Sequence, residues 1–292
     1  MLPLTVHLIK TCLSNSKNSP NSNTRIALAI EYDGSAFNGW QKQSSPEVTT
    51  IQSTAETVLS QIADSEISTV CAGRTDAGVH ATCQVIHFDT PVDRGNKAWT
   101  RGANSLLPAA IRVLWARKVK PEFHARFSAT ARCYHYVLYQ RETPSAIMAG
   151  RTTHVRESLD IPVMHEAAQA LLGEQDFSVF RAAGCESNSP FRNISHASVT
   201  RQHGFIVFKV RANAFLQHMV RNIAGVLLDI GRGQRGADWV KELIACRNRT
   251  QSSMTAPPDG LYLVGIIYPS AFGLPSSTQT PAFLQSSDSN LL

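Results

Sequence analysis

The decapeptide CAGRTDAGVH at residues 71–80 sets a single carboxylate, Asp76, two residues after Arg74 on a turn framed by Gly73 and Gly78. Strand-like apolar segments flank it, ISTV before and CQVIHF after. Glycines mark turns or places where the backbone must come close to something else. A strand–turn–strand of this kind suits a rigid loop that presents one side chain. Taken alone, the same Asp also suits a hairpin turn in which it caps backbone N–H groups. No second carboxylate is an evident partner for Asp76, which argues against paired-carboxylate glycoside hydrolysis. The sequence holds no P-loop, no Rossmann glycine fingerprint and no G-x-S-x-G. The candidate machine is one Asp, one Arg and one Tyr, with no cofactor and no metal.

The arginine is Arg221, in the apolar stretch 214–231. His218, Arg221 and Gly225 share one helical face there, while Phe215, Met219, Ile223, Leu227 and Ile230 lie elsewhere around the cylinder. A helix apolar on most sides is largely buried, and a buried Arg needs a partner. Backbone carbonyls or Asp229 would serve a structural role; Asp76 would serve a functional one and favour the ionised carboxylate. The tyrosine is Tyr134 in ARCYHY. Strand alternation puts Arg132, Tyr134 and Tyr136 on one face and Cys133 and His135 on the other. Such a Tyr suits core filling, or, on a basic sheet face, stacking on a nucleobase. The upstream FHARFSATAR adds Arg126 and hydroxyls close to Arg132, a phosphate-and-base surface.

The elements that must position these groups follow from periodicity. RIALAIEYDG reads as a strand ending in a turn. TTIQSTAETVLSQIAD follows as a helix, with Thr49 and Gln52 at capping-box spacing and Ile51, Ala55, Val58, Leu59 and Ile62 on one face. Two strands surround the opening loop, NKAWTRGANSLL is helical up to Pro108, and IRVLWARKV is a strand. That order is β-α-β-β-α-β, the split βαβ of ferredoxin-like domains. In the second half ARCYHYVLYQ is a strand, IPVMHEAAQALLG a helix, RNISHASVTR and FIVFKVRA a hairpin, 214–231 a helix with Asn213 as N-cap, ADWVKELIAC a helix and GLYLVGIIYP a closing strand. Two α+β units sharing a sheet would place a cleft between them.

The chain of 292 residues is 43% hydrophobic and 17% charged, enough for one large core or two smaller ones. Its net charge is +6, and 20 of its 28 basic residues are Arg, the residue suited to phosphate forks and base stacking. The six cysteines form no C-x-x-C pair, and the pattern reads as reduced thiols of a cytoplasmic protein. No apolar run approaches the length of a membrane span. Residues 1–24 read as a disordered Ser/Asn-rich extension and 270–292 as a disordered tail.

Several separate motifs, in order, carry a resemblance. EYDGSAFNGWQKQ, TIQSTAE, GRTDAGVHATCQVIHF, NSLLP, FHARFSATARCYHY, FRNI, NAFLQHMVRNIAG and GLYLV resemble the TruA family of tRNA pseudouridine synthases over roughly residues 25–268. The resemblance implies two ferredoxin-like α/β domains, 25–121 with the catalytic loop and 122–269, joined in an extended, largely antiparallel sheet with a central active-site cleft. It implies a homodimer that binds tRNA and converts uridines of the anticodon stem-loop to pseudouridine. It assigns the catalytic role to Asp76, extrusion of the target nucleotide to Arg74, contact with the uracil to Tyr134, a place beside Asp76 to Arg221, and the pocket wall to Leu261. Phe123, His124, Arg126 and Arg132 would meet RNA. Where the family often carries basic residues this chain has Cys133 and His135. A pseudouridine synthase on another RNA and a non-catalytic RNA-binding protein are the alternative readings. Isomerising uridine needs a carboxylate at the sugar–base junction and a pocket for the detached base. Addition to the base, addition to C1′ and removal of the 2′ proton all remain open to it.

Overall fold

The computed structural model describes residues 23–43, 48–275 and 278–285. The expected N-terminal extension lies almost wholly outside the described residues, as does the end of the expected C-terminal tail.

The alternating apolar stretches form one large, mostly antiparallel sheet. Its strands are β1 (Thr24–Tyr32), β2 (Val70–Cys71), β3 (His80–Thr90), β4 (Ile111–Val119), β5 (Ala131–Gln140), β6 (Thr153–Val155), β7 (Gly173–Asp176), β8 (Phe191–Gln202), β9 (Phe205–Ala212) and β10 (Leu261–Ile267). The main path runs β4-β1-β3-β10-β5-β9-β8-β7, with β2 paired to β3 and β6 to β5. The two parts of the chain meet where the last strand, β10, inserts between β3 and β5. It runs parallel to β3 (Tyr262 opposite His80) and antiparallel to β5 (Leu263 opposite Tyr134). The His80 end of the Asp76 loop is thereby tied to both halves of the sequence.

The helices are α1 (Ile51–Ala63), α2 (Gly95–Lys97), α3 (Ala103–Leu106), α4 (Ile161–Gln169), α5 (Met219–Gly231) and α6 (Trp239–Cys246). The α1 capping box is set one residue later than its expected pair: Thr50 caps the helix, with Ser53 answering through its own side chain. A cap of this kind is worth about 1 kcal/mol. Between α2 and α3 the chain widens into a π-helical turn, Ala98–Gly102. Its Trp99 is fully buried, edge-on to Phe88 at 5.1 Å.

The expected helix over 214–231 begins at Met219. Asn213 does not cap it: its Oδ1 accepts from Asn193 N and Ala214 N, which turns the chain off the end of β9. His218 then adopts a left-handed conformation (φ 60°) immediately before the helix.

Strand alternation divides the core in two. Tyr134, Tyr136 and Leu138 join the large cluster under the helices, whereas Cys133 and Val137 lie in a small cluster on the opposite face with Val207, Tyr262, Val264 and Leu284. That second face also carries residues 278–285, a part of the segment expected to be a disordered tail. Gln279 N donates to Val264 O at 2.8 Å, Thr82 Oγ1 donates to Gln279 O, and Phe283 packs on Phe205 at 5.2 Å. The apolar side chains of PAFL outweigh their polar surroundings, and Leu284 is buried against the sheet.

Candidate active site

Asp76 sits at the tip of the turn between β2 and β3, and the segments around it act as brackets. From the EYDG segment, Tyr32 Oη and Thr75 Oγ1 lie 2.8 Å apart. Trp40 N donates to Thr75 O at 2.9 Å. Gly39 has φ +82°, and a Cβ there would lie 2.7 Å from Thr75 O and 3.0 Å from Ala77 N. This is a close backbone approach of the kind that requires glycine. At the far end of the loop, Gly34 N donates to His80 Nδ1 at 3.1 Å, and His80 Nε2 meets Asp259 O at 3.1 Å. With Nδ1 accepting, Nε2 carries the proton, so buried His80 is neutral. Burial keeps it below the ordinary histidine range against the pull of Asp33.

Arg221 donates through Nη1 to Asp76 Oδ2 at 3.1 Å and through Nε to Ala256 O at 2.9 Å. The first contact joins residues 145 apart in sequence. Asp229, the alternative partner, accepts instead from Ser253 Oγ at 2.6 Å and sits 3.6 Å from Arg232. Asp76 keeps 28% of its side chain accessible and Arg221 14%, so the carboxylate is held yet reachable. His218 Nε2 lies 3.4 Å from the same Oδ2. The left-handed turn before α5 therefore brings a second nitrogen to Asp76. The expected shared face of His218 and Arg221 meets Asp76 through that turn rather than through one continuous helix.

Tyr134 is buried beside this pair, with its ring edge-on to Phe215 at 5.0 Å. Burial pushes its phenol pKa up; the Arg132 charge opposes this and the Asp76 charge adds to it. A methyl group at Gly73 would lie 3.7 Å from the Tyr134 hydroxyl. Leu261 is buried on β10 opposite Tyr136, whose hydroxyl meets Thr153 and donates to Pro257 O. Phe215 is the site residue that the sequence does not single out, because its contact with Tyr134 is made from the irregular turn before α5, where periodicity carries no signal.

The four residues expected to meet RNA separate. Arg132 is turned inward. Its guanidinium donates to Ala72 O (3.0 and 3.3 Å), Ala129 O (3.1 Å), Asn213 O (2.7 Å) and Arg126 O, and it is 9% exposed. The carbonyls of the loop and its neighbours use the donors of Arg132 that the sequence offered to RNA. Phe123 is likewise turned inward. It is fully buried, against Tyr268 at 5.1 Å and Phe272 at 5.2 Å. His124 is half-buried and Arg126 exposed, both on the turn that follows. Arg74 is exposed on the Asp76 loop, 3.2 Å from Glu186. Cys133 and His135 face away from Tyr134, on the far side of the sheet, in a cleft of about 260 Å³ with His196, Lys209 and Arg211.

Among the described residues no group of three His, Cys, Asp or Glu is placed to hold a metal ion, and no helix is long and apolar enough to cross a membrane. The arrangement is thus one accessible carboxylate, oriented by a guanidinium and bordered by a buried phenol and aliphatic wall.

Residues 28–128 and 167–269 match the family model described as tRNA pseudouridine synthase. Proteins named tRNA pseudouridine synthase A are similar over most of the chain. That of Shewanella amazonensis is 52% identical over 260 residues, covering 89% of this chain and 99% of its own. That of Aeromonas salmonicida is 52% identical over 263 residues, 90% and 97%. That of Salmonella paratyphi B is 49% identical over 272 residues, 93% and 99%.

Proposed function

The chain belongs to the family of tRNA pseudouridine synthases, and on that premise we propose that it isomerises uridines of the tRNA anticodon stem-loop with Asp76 as the catalytic carboxylate. The observation that carries this reading is the Arg221–Asp76 contact, which gathers the expected catalytic pair from opposite halves of the sequence. In the reaction the C1′–N1 bond breaks, the uracil turns and C1′–C5 forms. The C5 proton leaves and N1 gains one, so no oxidant or reductant is consumed. A single carboxylate can assist by adding to the base, by adding to C1′, or by taking the 2′ proton. Arg221 orients Asp76 for each route and compensates the water it loses when substrate enters.

A base stacked in the stem is beyond the reach of this carboxylate, so the target nucleotide must be extruded, at roughly a few kcal/mol. Arg74, exposed two residues before Asp76, is suited to fill the vacated space. Tyr134 and Leu261 supply the apolar surface against which the uracil turns. With the short strands β6 and β7 left out, the orders β4-β1-β3-β2 and β10-β5-β9-β8 are the same when each half is numbered from its first strand. This supports reading both halves as ferredoxin-like units, 25–121 and 122–269. A homodimer would double the net charge of +6 over one tRNA. Free thiols at all five described cysteines support a reducing, cytoplasmic setting. The test is direct: incubate the protein with unmodified tRNA transcript, add no cofactor, and map pseudouridine chemically. Modification confined to the anticodon stem-loop supports the reading, and tRNA that binds without being modified overturns it.

A further inference from the structure

We infer that Phe127 is a stacking platform for an unpaired base of the substrate RNA beside the Asp76 cleft, a subsite that rests on the tRNA reading above. Phe127 is 77% exposed. A singly exposed apolar side chain needs no function by itself; what sets this one apart is how it is held. Its ring stacks on His124 at 4.3 Å, with 26° between the planes. His124 Nδ1 accepts from the N–H groups of both Arg126 and Phe127, each at 3.2 Å. Ser128 Oγ accepts from His124 N at 3.0 Å, and Ser128 N donates to His124 O at 2.9 Å. Ala125 N donates to buried His87 Nδ1 at 3.1 Å. Every backbone N–H from His124 to Ser128 is therefore bonded, and buried Phe123 anchors the turn beneath. A fully bonded turn that fixes a phenyl ring in water is pre-organised for a flat apolar partner.

The surroundings say which partner. Arg126 places its guanidinium carbon 5.7 Å from the Phe127 ring centre. The turn is joined to the catalytic loop through Arg132, which bonds both Arg126 O and Ala72 O. Burial pushes the Cys71 thiol up to about 12, and the charges of Arg74 and Arg126 both oppose it. A ring with one face on an imidazole and an arginine beside it matches a nucleobase with a phosphate next to it. A peptide partner would instead call for a continuous apolar patch, and the neighbours of Phe127 along the turn are Arg126 and Ser128.

The test uses the full chain, an unmodified tRNA transcript, and Phe127→Ala, Phe127→Trp and Arg126→Ala. Phe127→Ala should weaken tRNA binding by about fivefold to 150-fold, the range spanned by one base–aromatic stack. It should leave the slope of log Kd against log salt unchanged, whereas Arg126→Ala should flatten that slope by about one unit. Phe127→Trp should keep its affinity and lose tryptophan fluorescence when tRNA is added. Unchanged affinity in Phe127→Ala together with no quenching in Phe127→Trp overturns the inference. So does a change of oligomeric state in Phe127→Ala at unaltered tRNA affinity, which would assign the ring to a second copy of the chain. Wild-type protein that modifies tRNA while Phe127→Ala binds normally refutes the platform alone. Wild-type protein that binds tRNA without modifying it refutes the catalytic reading, and a loss of affinity in Phe127→Ala would still support the stack.

Discussion

Replacing Arg132 by Met separates two roles that the sequence alone left together. The substitution keeps the length of the aliphatic stem and removes a buried guanidinium that spans Ala72, Arg126, Ala129 and Asn213 through their carbonyls. Hydrogen bonds to a charged group are each worth about 1.5–3 kcal/mol net, and an orphaned buried acceptor costs about 1–3 kcal/mol. Four carbonyls lose a donor, but three of them, on Ala129, Asn213 and Arg126, lie in half-buried surroundings where water can replace the bond. Release of the guanidinium from burial returns part of the loss; the same burial holds its pKa below the ordinary arginine value. The net expectation is a destabilisation of roughly 2–4 kcal/mol, read as a fall of roughly 5–10 °C in Tm for a protein of this size. Urea unfolding of wild type and variant measures it directly. Pseudouridine formation should fall further than stability does, because the loop that carries Asp76 loses its tie at Ala72. Unchanged unfolding with a tRNA salt slope flattened by one unit would make Arg132 a phosphate contact and refute the argument.

Arg221→Met leaves half-buried Asp76 without its guanidinium and should cost about 2–4 kcal/mol, below the full price of a fully buried pair because Asp76 is partly solvated. Combined with Asp76→Asn in a double-mutant cycle, the losses should be non-additive by more than 0.5 kcal/mol or so; strict additivity would separate the two residues. Tyr134→Phe should retain its packing on Phe215, whereas Tyr134→Ala should lose about 1–3 kcal/mol more in productive tRNA binding; equal effects in transient kinetics would deny the ring a stacking role. His87 is held down to about 4, first by burial and then by the charges of Arg25 and His124. Its folded pKa lies below the unfolded value of about 6.5, so the unfolded state binds more protons between the two. Its contribution is present above pH 6.5 or so and is lost as pH falls toward about 4. His87→Asn, which can still accept from Ala125 N, should flatten the fall in urea midpoint over that window, and an unaltered fall would clear His87 of the effect.

Much of the fold was legible because it rests on periodicity. The long strands and the helices α1 and α4 follow from spacing, and the need of a buried Arg for a partner left Asp76 among the candidates for Arg221, the one the family resemblance favours. What escaped the sequence depends on groups that periodicity does not report. Strand alternation correctly put Arg132 and Tyr134 on one face, but nothing in the pattern says that backbone carbonyls surround Arg132. The left-handed His218 interrupts a stretch whose composition reads as continuous helix. Phe127 differs from its neighbour Phe123 only in which way the turn faces. The tail reads as disordered from its Ser, Thr and Gln content, and its described part packs Phe283 and Leu284 on the sheet.

The central claim is that Asp76 performs the chemistry while other groups hold the RNA. Single-turnover conversion of an unmodified tRNA by wild type and Asp76→Asn, with tRNA affinity measured on the same preparations, tests it most directly. The account predicts no detectable pseudouridine from Asp76→Asn, with affinity within about threefold of wild type, roughly 0.6 kcal/mol. Conversion by Asp76→Asn at a near-wild-type rate would contradict it.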